Sequence, residues 1–364
     1  MPARLATASD RPLRIFVAGP WWDTGALADY VAAGLKKLGH EARLFLYSGD
    51  LNATIGIRGR VRRRLIGESR FKVERIFASA MDDNIRLLEG VQEFKPDLLL
   101  VIKGEVFLPE TLHIVKKSLS GPLVQWCGDN PFWFPNIIGS LDVYDWFFLT
   151  DGHYAADVER HGARRVNVLP HAADPDVYSA DGEESAVGAD VIFVGDSRHR
   201  MGHLPENWHR VEVLEAVVRT GVDLAIFGRG WDSLPPEYAV KNSLRGRTLL
   251  PASRVAAAYR ASKIVLNIHH PQIVDGCNMR TFEAAACGAF QLVDDRSSLH
   301  ELFDPPNDLV TYSNADDLVE LVRHYVDRPE ERRTVAAKSR NRVLSEHTYG
   351  KRLADLIELV TGSP

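Results

Sequence analysis

The sequence predicts an α/β protein built from two Rossmann-like α/β/α domains. Short apolar runs alternate with amphipathic stretches of helical period, many of those runs end in glycine, and a turn-rich polar segment divides the chain near its middle. At 364 residues the chain exceeds one ordinary core and suffices for two such domains. A hydrophobic content of 45% with 26% charged residues is that of a globular protein in water. The formal net charge of −5 argues against general nucleic-acid binding. Three cysteines, Cys127, Cys277 and Cys287, form no Cys-x-x-Cys pair, which fits a reducing cytosol rather than a disulfide framework. Residues 1–11 lack an apolar signal core, and no apolar run approaches the roughly 18–20 residues of a membrane span, so a cytoplasmic protein is expected.

The first half opens with Leu13-Arg-Ile-Phe-Val-Ala18, a buried parallel strand ending at Gly19. A helix follows over about 24–38, where Leu27, Tyr30, Val31, Leu35 and Leu38 keep helical spacing and Gly39 stops it. Gly19 stands at the first strand-to-helix turn, where a glycine lets backbone approach a ligand; plain turn formation explains it equally. The Gly-x-Gly-x-x-Gly dinucleotide fingerprint is absent. A second strand covers 43–47. Residues 58–75 then hold eight basic and two acidic side chains interleaved with apolar ones. Such a segment is either a solvated face or a peripheral contact with an anionic membrane surface.

A helix around 81–94 leads to Leu98-Leu-Leu-Val-Ile-Lys103-Gly104, a strand ending in a glycine turn. After a helix over 109–119, a strand over 123–126 runs into Cys127-Gly-Asp-Asn-Pro-Phe-Trp-Phe134. A carboxylate beyond the carboxyl end of a parallel strand sits where open sheets bind ligands, so Asp129 is a candidate to orient a hydroxyl or act as a base. Asp-Asn-Pro is also a good turn former. Trp126, Phe132, Trp133 and Phe134 are either core or a stacking surface for a sugar ring. A strand over 146–150, a helix to 161 and a strand over 165–169 complete this half. His153 follows the first of these and is the second catalytic candidate, beside the plainer role of a hydrogen-bonded loop residue.

Pro170-His-Ala-Ala-Asp-Pro-Asp-Val-Tyr178 and the small, polar stretch 179–189 mark the boundary. The expected domains are 1–175 and 176–345, with 346–364 as a closing helix. Asp174-Pro-Asp176 has the Asp-x-Asp form of a metal site but lies in the linker, and no Cys/His spacing fits zinc, so neither a metal nor a cofactor is expected. Strands are predicted at 190–194, 224–227, 244–250, 264–268, 289–293 and 309–312, with helices at 206–219, 251–261, from 279 to Gly288, to 303, two more to 345, and 349–360. Gly195 and Arg198 (Arg200 in reserve) follow the first of these strands in a pattern that suits phosphate oxygens. Gly228-Arg-Gly230 forms the exit of the next.

The most informative stretch is Asp275-Gly-Cys-Asn-Met-Arg-Thr-Phe-Glu-Ala-Ala-Ala-Cys-Gly288, preceded by His269-His270. Asn278 is a good N-cap and Gly288 suits the left-handed position past a helix end. Met279, Phe282 and Ala286 share one face and are expected to pack inward. Arg280 and Glu283 lie on the other side, where they are either a surface ion pair or ligands. A helix N-terminus with free N–H groups and an adjacent Arg makes a diphosphate site, and a carboxylate one turn deeper accepts ribose hydroxyls. On this reading His269, Asp275, Asn278, Met279, Arg280, Thr281 and Glu283 bind a nucleotide sugar.

The run from Asn278 to Gly288 resembles the core motif of CgeB-like glycosyltransferases, a bacterial branch of the GT-B superfamily. Family-4-type enzymes carry Glu, seven residues, Glu, then Ala-x-Ala-x-Gly; Glu283 matches the second glutamate, and the shorter Asp275 stands at the spacing of the first. A Lys-Gly turn like Lys103-Gly104 and an acidic-Pro loop like Asp129-Asn-Pro131 recur in that order in CgeB-like proteins. The resemblance implies a metal-independent, retaining hexosyl transfer from a nucleotide sugar to a glycan, lipid-linked or protein acceptor. It further implies that Arg198 and Gly195 meet the donor diphosphate, that the Gly228 loop lies near the base, that the Gly19 loop faces the cleft, and that the last helix crosses back to the first domain. A nucleotide-sugar epimerase of the same build, or a non-catalytic two-lobed sugar-binding protein, is the alternative.

Overall fold

The computed structural model describes residues 11–21, 27–47, 68–182, 188–197, 209–247 and 251–362, with the backbone alone over 68–79. The chain forms two compact units, one of Met1–Leu169 with Leu353–Pro364 and one of Pro170–Arg352.

The first unit is a parallel sheet of β1 (Arg14–Pro20), β2 (Glu41–Tyr47), β3 (Leu98–Ile102), β4 (Leu123–Cys127), β5 (Trp146–Leu149) and β6 (Val166–Val168). Its helices are α1 (Leu27–Lys37), α2 (Glu68–Phe94), α3 (Pro109–Ser118), α4 (Pro135–Ile138) and α5 (Ala155–Arg160). The spatial order is β2-β1-β3-β4-β5-β6, so the connections reverse direction between β1 and β3. β3 and β4 are buried at every position, as continuous apolar runs in a parallel sheet require. Phe16, Phe45, Phe94, Phe107 and Phe147 fill the layer between sheet and helices.

α2 is longer than the helix expected over 81–94. No glycine or proline interrupts the chain between Glu68 and Glu89, so the charged stretch continues the helix instead of ending it. Of the basic segment 58–75, residues 58–67 lie outside the described residues, and 68–75 form the first turns of α2.

The second unit has β7 (Val191–Val194), β8 (Leu224–Phe227), β9 (Leu244–Gly246), β10 (Ile264–Asn267), β11 (Gln291–Asp294) and β12 (Val310–Tyr312). Its helices are α6 (His209–Val218), α7 (Ala252–Ala261), α8 (Met279–Ala286), α9 (Ser297–Leu302), α10 (Ala315–Val326) and α11 (Pro329–Glu346). The order β12-β11-β10-β7-β8-β9 is the doubly wound arrangement, reversing between β7 and β10. The final helix, α12 (Tyr349–Thr361), starts in the second unit and ends in the first. Among the described residues no helix is long and apolar enough to cross a membrane.

Candidate functional site

α8 begins where the sequence says it should. The Asn278 side chain accepts from the Thr281 N–H at 3.3 Å, and Gly288 takes φ +67° past the helix end. The cap is tied to the sheet. Asn267, last in β10, donates to Asn278 Oδ1 at 3.1 Å and to Thr281 Oγ1 at 3.0 Å, while Asn278 Nδ2 donates to Asn267 Oδ1 at 2.8 Å. These buried amides aim the first turn of α8 and its free N–H groups past the carboxyl end of β10.

The expectation of one inward face on α8 needs correcting. Thr281 through Ala286 are all buried, Glu283 included at 6% exposure, whereas Met279 and Arg280 are half-buried. The helix is enclosed by α7 and α11 as well as the sheet, so it has no solvent side for a surface ion pair. The Glu283 carboxylate accepts a hydrogen bond from the Tyr178 hydroxyl. Burial raises its pKa to about 6 even though Arg280 and Tyr178 pull the other way. Tyr259, on α7 in the field of Arg280 and Glu283, has a buried hydroxyl without a hydrogen-bond partner among the described residues.

A cation not singled out in the sequence sits at the reversal point of this sheet. Arg210, on α6, donates through Nη1 to the Asp196 carbonyl at 3.2 Å and through Nη2 to the Ile268 carbonyl at 3.1 Å. Its guanidinium thus spans the chain just past β7 and β10, where doubly wound sheets take their ligands. Its pKa falls to about 10, first through burial and then through the like charge of Arg280, so it stays charged at neutral pH. Its Nε is buried without a hydrogen-bond partner among the described residues. Arg210 lay hidden because one arginine on a helix of ordinary spacing carries no signal until the strand order is known.

The predicted glycines divide by cause. A Cβ at Gly195 would stand 2.8 Å from the Phe193 ring and 3.6 Å from Arg210 Nη1. At Gly228 it would stand 2.0 Å from the Gly195 carbonyl oxygen, so Gly228 lets two backbone exits pass each other. Arg198 lies outside the described residues. His269 is fully buried: Asp294 Oδ1 takes both its backbone N–H, at 2.8 Å, and its Nδ1, at 2.6 Å. Arg296 lies 2.7 Å from the other Asp294 oxygen; burial pushes the Asp294 pKa up, but His269, Arg296 and the hydrogen bonds from His269 outweigh it and hold it low. His269 Nε2 is buried without a hydrogen-bond partner among the described residues. Asp275 accepts from Ser297 Oγ at 3.2 Å, and its carbonyl from the Ser298 N–H at 3.0 Å, which ties the loop before α8 to the start of α9.

Asp129, His153 and Gly19 belong to the first unit. Packing alone requires a glycine at Gly19, because a Cβ there would stand 2.5 Å from that of Ala28 on α1. Asp129 lies past β4 and pairs with Lys103 Nζ at 3.1 Å. His153 lies past the adjacent β5; it is exposed, its N–H donates to Asp151, and its ring meets Tyr154 edge-on. Trp126 is core, its indole donating to the Leu169 carbonyl at 3.0 Å, while Phe132, Trp133 and Phe134 are half-buried. In the linker, Asp174 is buried and its carboxylate accepts from the Asp176 N–H, which closes a turn. Among the described residues no cluster of three or more His, Cys, Asp or Glu side chains is arranged to hold a metal ion.

With this geometry in hand, similarity to known proteins acquires a location. Residues 209–358, which contain Arg210, α8 and Glu283, match the glycosyl transferase-like family. The chain is 22% identical over 282 residues to the spore protein CgeB of Bacillus subtilis, covering 74% of this chain and 84% of that one. Among solved structures, sucrose-phosphate synthase from Thermosynechococcus elongatus superposes with a TM-score of 0.65 at 12% identity, over 95% of this chain and 98% of that one. Anabaena HepE in complex with UDP and glucose gives 0.62 at 12% identity, over 96% and 100%. A structure from E. coli described as bound with UDP-2-fluoro glucose gives the same values. The chain therefore has the GT-B architecture, matches the glycosyl transferase-like family over residues 209–358, and is similar to CgeB along most of its length.

Proposed function

We propose that the protein is a glycosyltransferase that moves a hexosyl group from a nucleotide sugar to an acceptor hydroxyl, with retention and without a metal ion. The observation that carries this reading is the meeting, at the reversal point of the second sheet, of the Arg210 guanidinium and the aimed N-terminus of α8 beside Arg280. Both present positive charge to one place, which is what a diphosphate needs. Glu283, one turn deeper, accepts the ribose hydroxyls. HepE and the E. coli structure are bound to uridine nucleotides, which supports a donor of that class here.

In the reaction the bond from the anomeric carbon to the diphosphate oxygen breaks, and its electron pair leaves with the phosphate. Arg210 and Arg280 neutralise the charge that grows there, a preorganised electrostatic contribution. The acceptor oxygen bonds to the anomeric carbon and its proton passes to the departing phosphate. Asp129, with His153 on the same sheet edge, orients the acceptor hydroxyl.

A thermal-shift panel with UDP, GDP, dTDP, ADP and CMP tests the donor half. A ligand at about 100 times its Kd stabilises the fold by roughly 2.7 kcal/mol. Arg280→Ala and Arg210→Lys are each expected to remove most of the shift given by the best nucleotide, because a lysine cannot keep both carbonyl contacts and still face a phosphate. A full shift in both variants would refute the site.

A further inference from the structure

We propose that the first unit carries its own site for the hydroxyl groups of an uncharged sugar, built from Lys103, Glu105 and Asp129. This rests on the reading of that unit as the acceptor-binding half. The three residues lie just past β3 and β4, and β3 borders the crevice where the strand order reverses. Open α/β sheets take ligands beyond the strand ends at such a crevice.

The local backbone is committed to presenting Lys103. This residue has φ +63°, a conformation that side-chain-bearing residues seldom adopt, and Gly104 follows at φ +79°. The resulting turn sets the ammonium between two carboxylates, 3.1 Å from Asp129 Oδ2 and 3.5 Å from Glu105 Oε1, with the Phe134 ring centroid at 4.8 Å. A further layer of hydrogen bonds fixes the cluster. The buried Tyr47 hydroxyl meets Glu105 Oε2 at 2.7 Å and accepts from the Gly104 N–H at 2.9 Å. Asn136 donates to the Glu105 carbonyl at 3.0 Å, and the Cys127 thiol to that of Asp129 at 3.3 Å.

The cluster is held in place yet not sealed. The side chains of Lys103, Glu105 and Asp129 keep 18%, 17% and 25% of their surface open. Among the described residues the cluster sets two carboxylates against one ammonium, a balance that disfavours a phosphorylated or carboxylated ligand. Carboxylates that accept beside an ammonium that donates match the hydroxyls of a pyranose, which both give and take hydrogen bonds. The half-buried Phe134 adds an apolar flank for the C–H face of such a ring. The ion pairs have a purely structural alternative, that of pinning two loops, and the test separates the two.

Saturation-transfer difference NMR on the full chain would use the methyl α-glycosides of glucose, galactose, mannose and N-acetylglucosamine, with glucose 6-phosphate as the anionic contrast. At least one methyl glycoside is expected to bind, and Glu105→Gln and Lys103→Met each to weaken it about tenfold or more. Lys103→Arg retains the charge and is expected to keep part of the binding. Glucose 6-phosphate is expected to bind no tighter than the neutral sugar. In every variant the melting shift given by the best nucleotide should match that of the parent, which shows that the chain is folded and the second unit intact. A parent protein that responds to nucleotide but binds no methyl glycoside overturns the proposal, as do folded variants that bind as well as the parent. Glycoside binding with no nucleotide response would instead sink the donor reading and leave this site standing.

Discussion

Glu283 shows how one buried carboxylate links stability to binding. Its pKa lies at about 6 against an ordinary 4.5, a gap worth about 2 kcal/mol. The sign follows from burial: the folded state penalises the ionised form, so the penalty is full above about pH 6 and fades as the pH falls towards 4.5. Glu283→Gln is therefore expected to raise the melting temperature of the unliganded protein at about pH 8 and to remove this group's part of the pH dependence. Ribose hydroxyls prefer the carboxylate, so the nucleotide-induced shift of the parent should shrink as the pH falls through about 6. Melting curves with and without the best nucleotide over that range check both points. A nucleotide response flat from about pH 5 to 8 would remove Glu283 from the site.

At the scale of an element, the two ends of α8 offer a contrast. Asn278 caps the helix and also completes the hydrogen bonds of Asn267, so Asn278→Ala forfeits a cap and leaves a buried amide short of partners. The expected loss is about 1 kcal/mol for the cap and a further 1–3 kcal/mol for the unsatisfied group. At the other end, Gly288→Ala places a Cβ 3.4 Å from Arg340 Cδ and 3.6 Å from Ala180 Cβ, which are ordinary contacts. Only the left-handed φ of +67° is strained, at a cost of about 1–2 kcal/mol. Both variants should unfold at lower denaturant than the parent, but only Asn278→Ala should also weaken nucleotide binding, since only that end aims at the site. Equal nucleotide affinity in the two variants would show that the cap orients nothing.

At the scale of the molecule, the chain leaves the first unit at Leu169 and returns to it at Leu353. Leu353, Leu356 and Val360 on α12 are buried, and this stretch of the helix groups with the first unit. Burying each such side chain is worth about 1.5–3 kcal/mol. Deleting residues 353–364 is thus expected to lower the stability of the first unit by several kcal/mol and to spare nucleotide binding, which the second unit carries. Calorimetry of the truncated chain should show a transition moved to lower temperature that the nucleotide does not restore. Truncation that leaves both units unmoved would show that α12 adds no stability.

Most of the strands and helices, and their order along the chain, were legible in the residues alone. Continuous apolar runs such as Leu98–Ile102 read as buried strands, and Asn278 and Gly288 marked the ends of α8, because burial, capping and left-handed backbone leave their trace in neighbouring residues. Helix length over a charged stretch was less legible, and α2 ran past the expected start because nothing local stops it. Which polar groups meet was decided only by the tertiary structure. The contact of Glu283 with Tyr178, the span of Arg210 between Asp196 and Ile268, and the clasp of Lys103 on Asp129 all join residues from separate elements. Such pairings depend on strand order and on which carboxyl ends lie side by side, and hydrophobic periodicity specifies only that a strand is buried, not beside which partner.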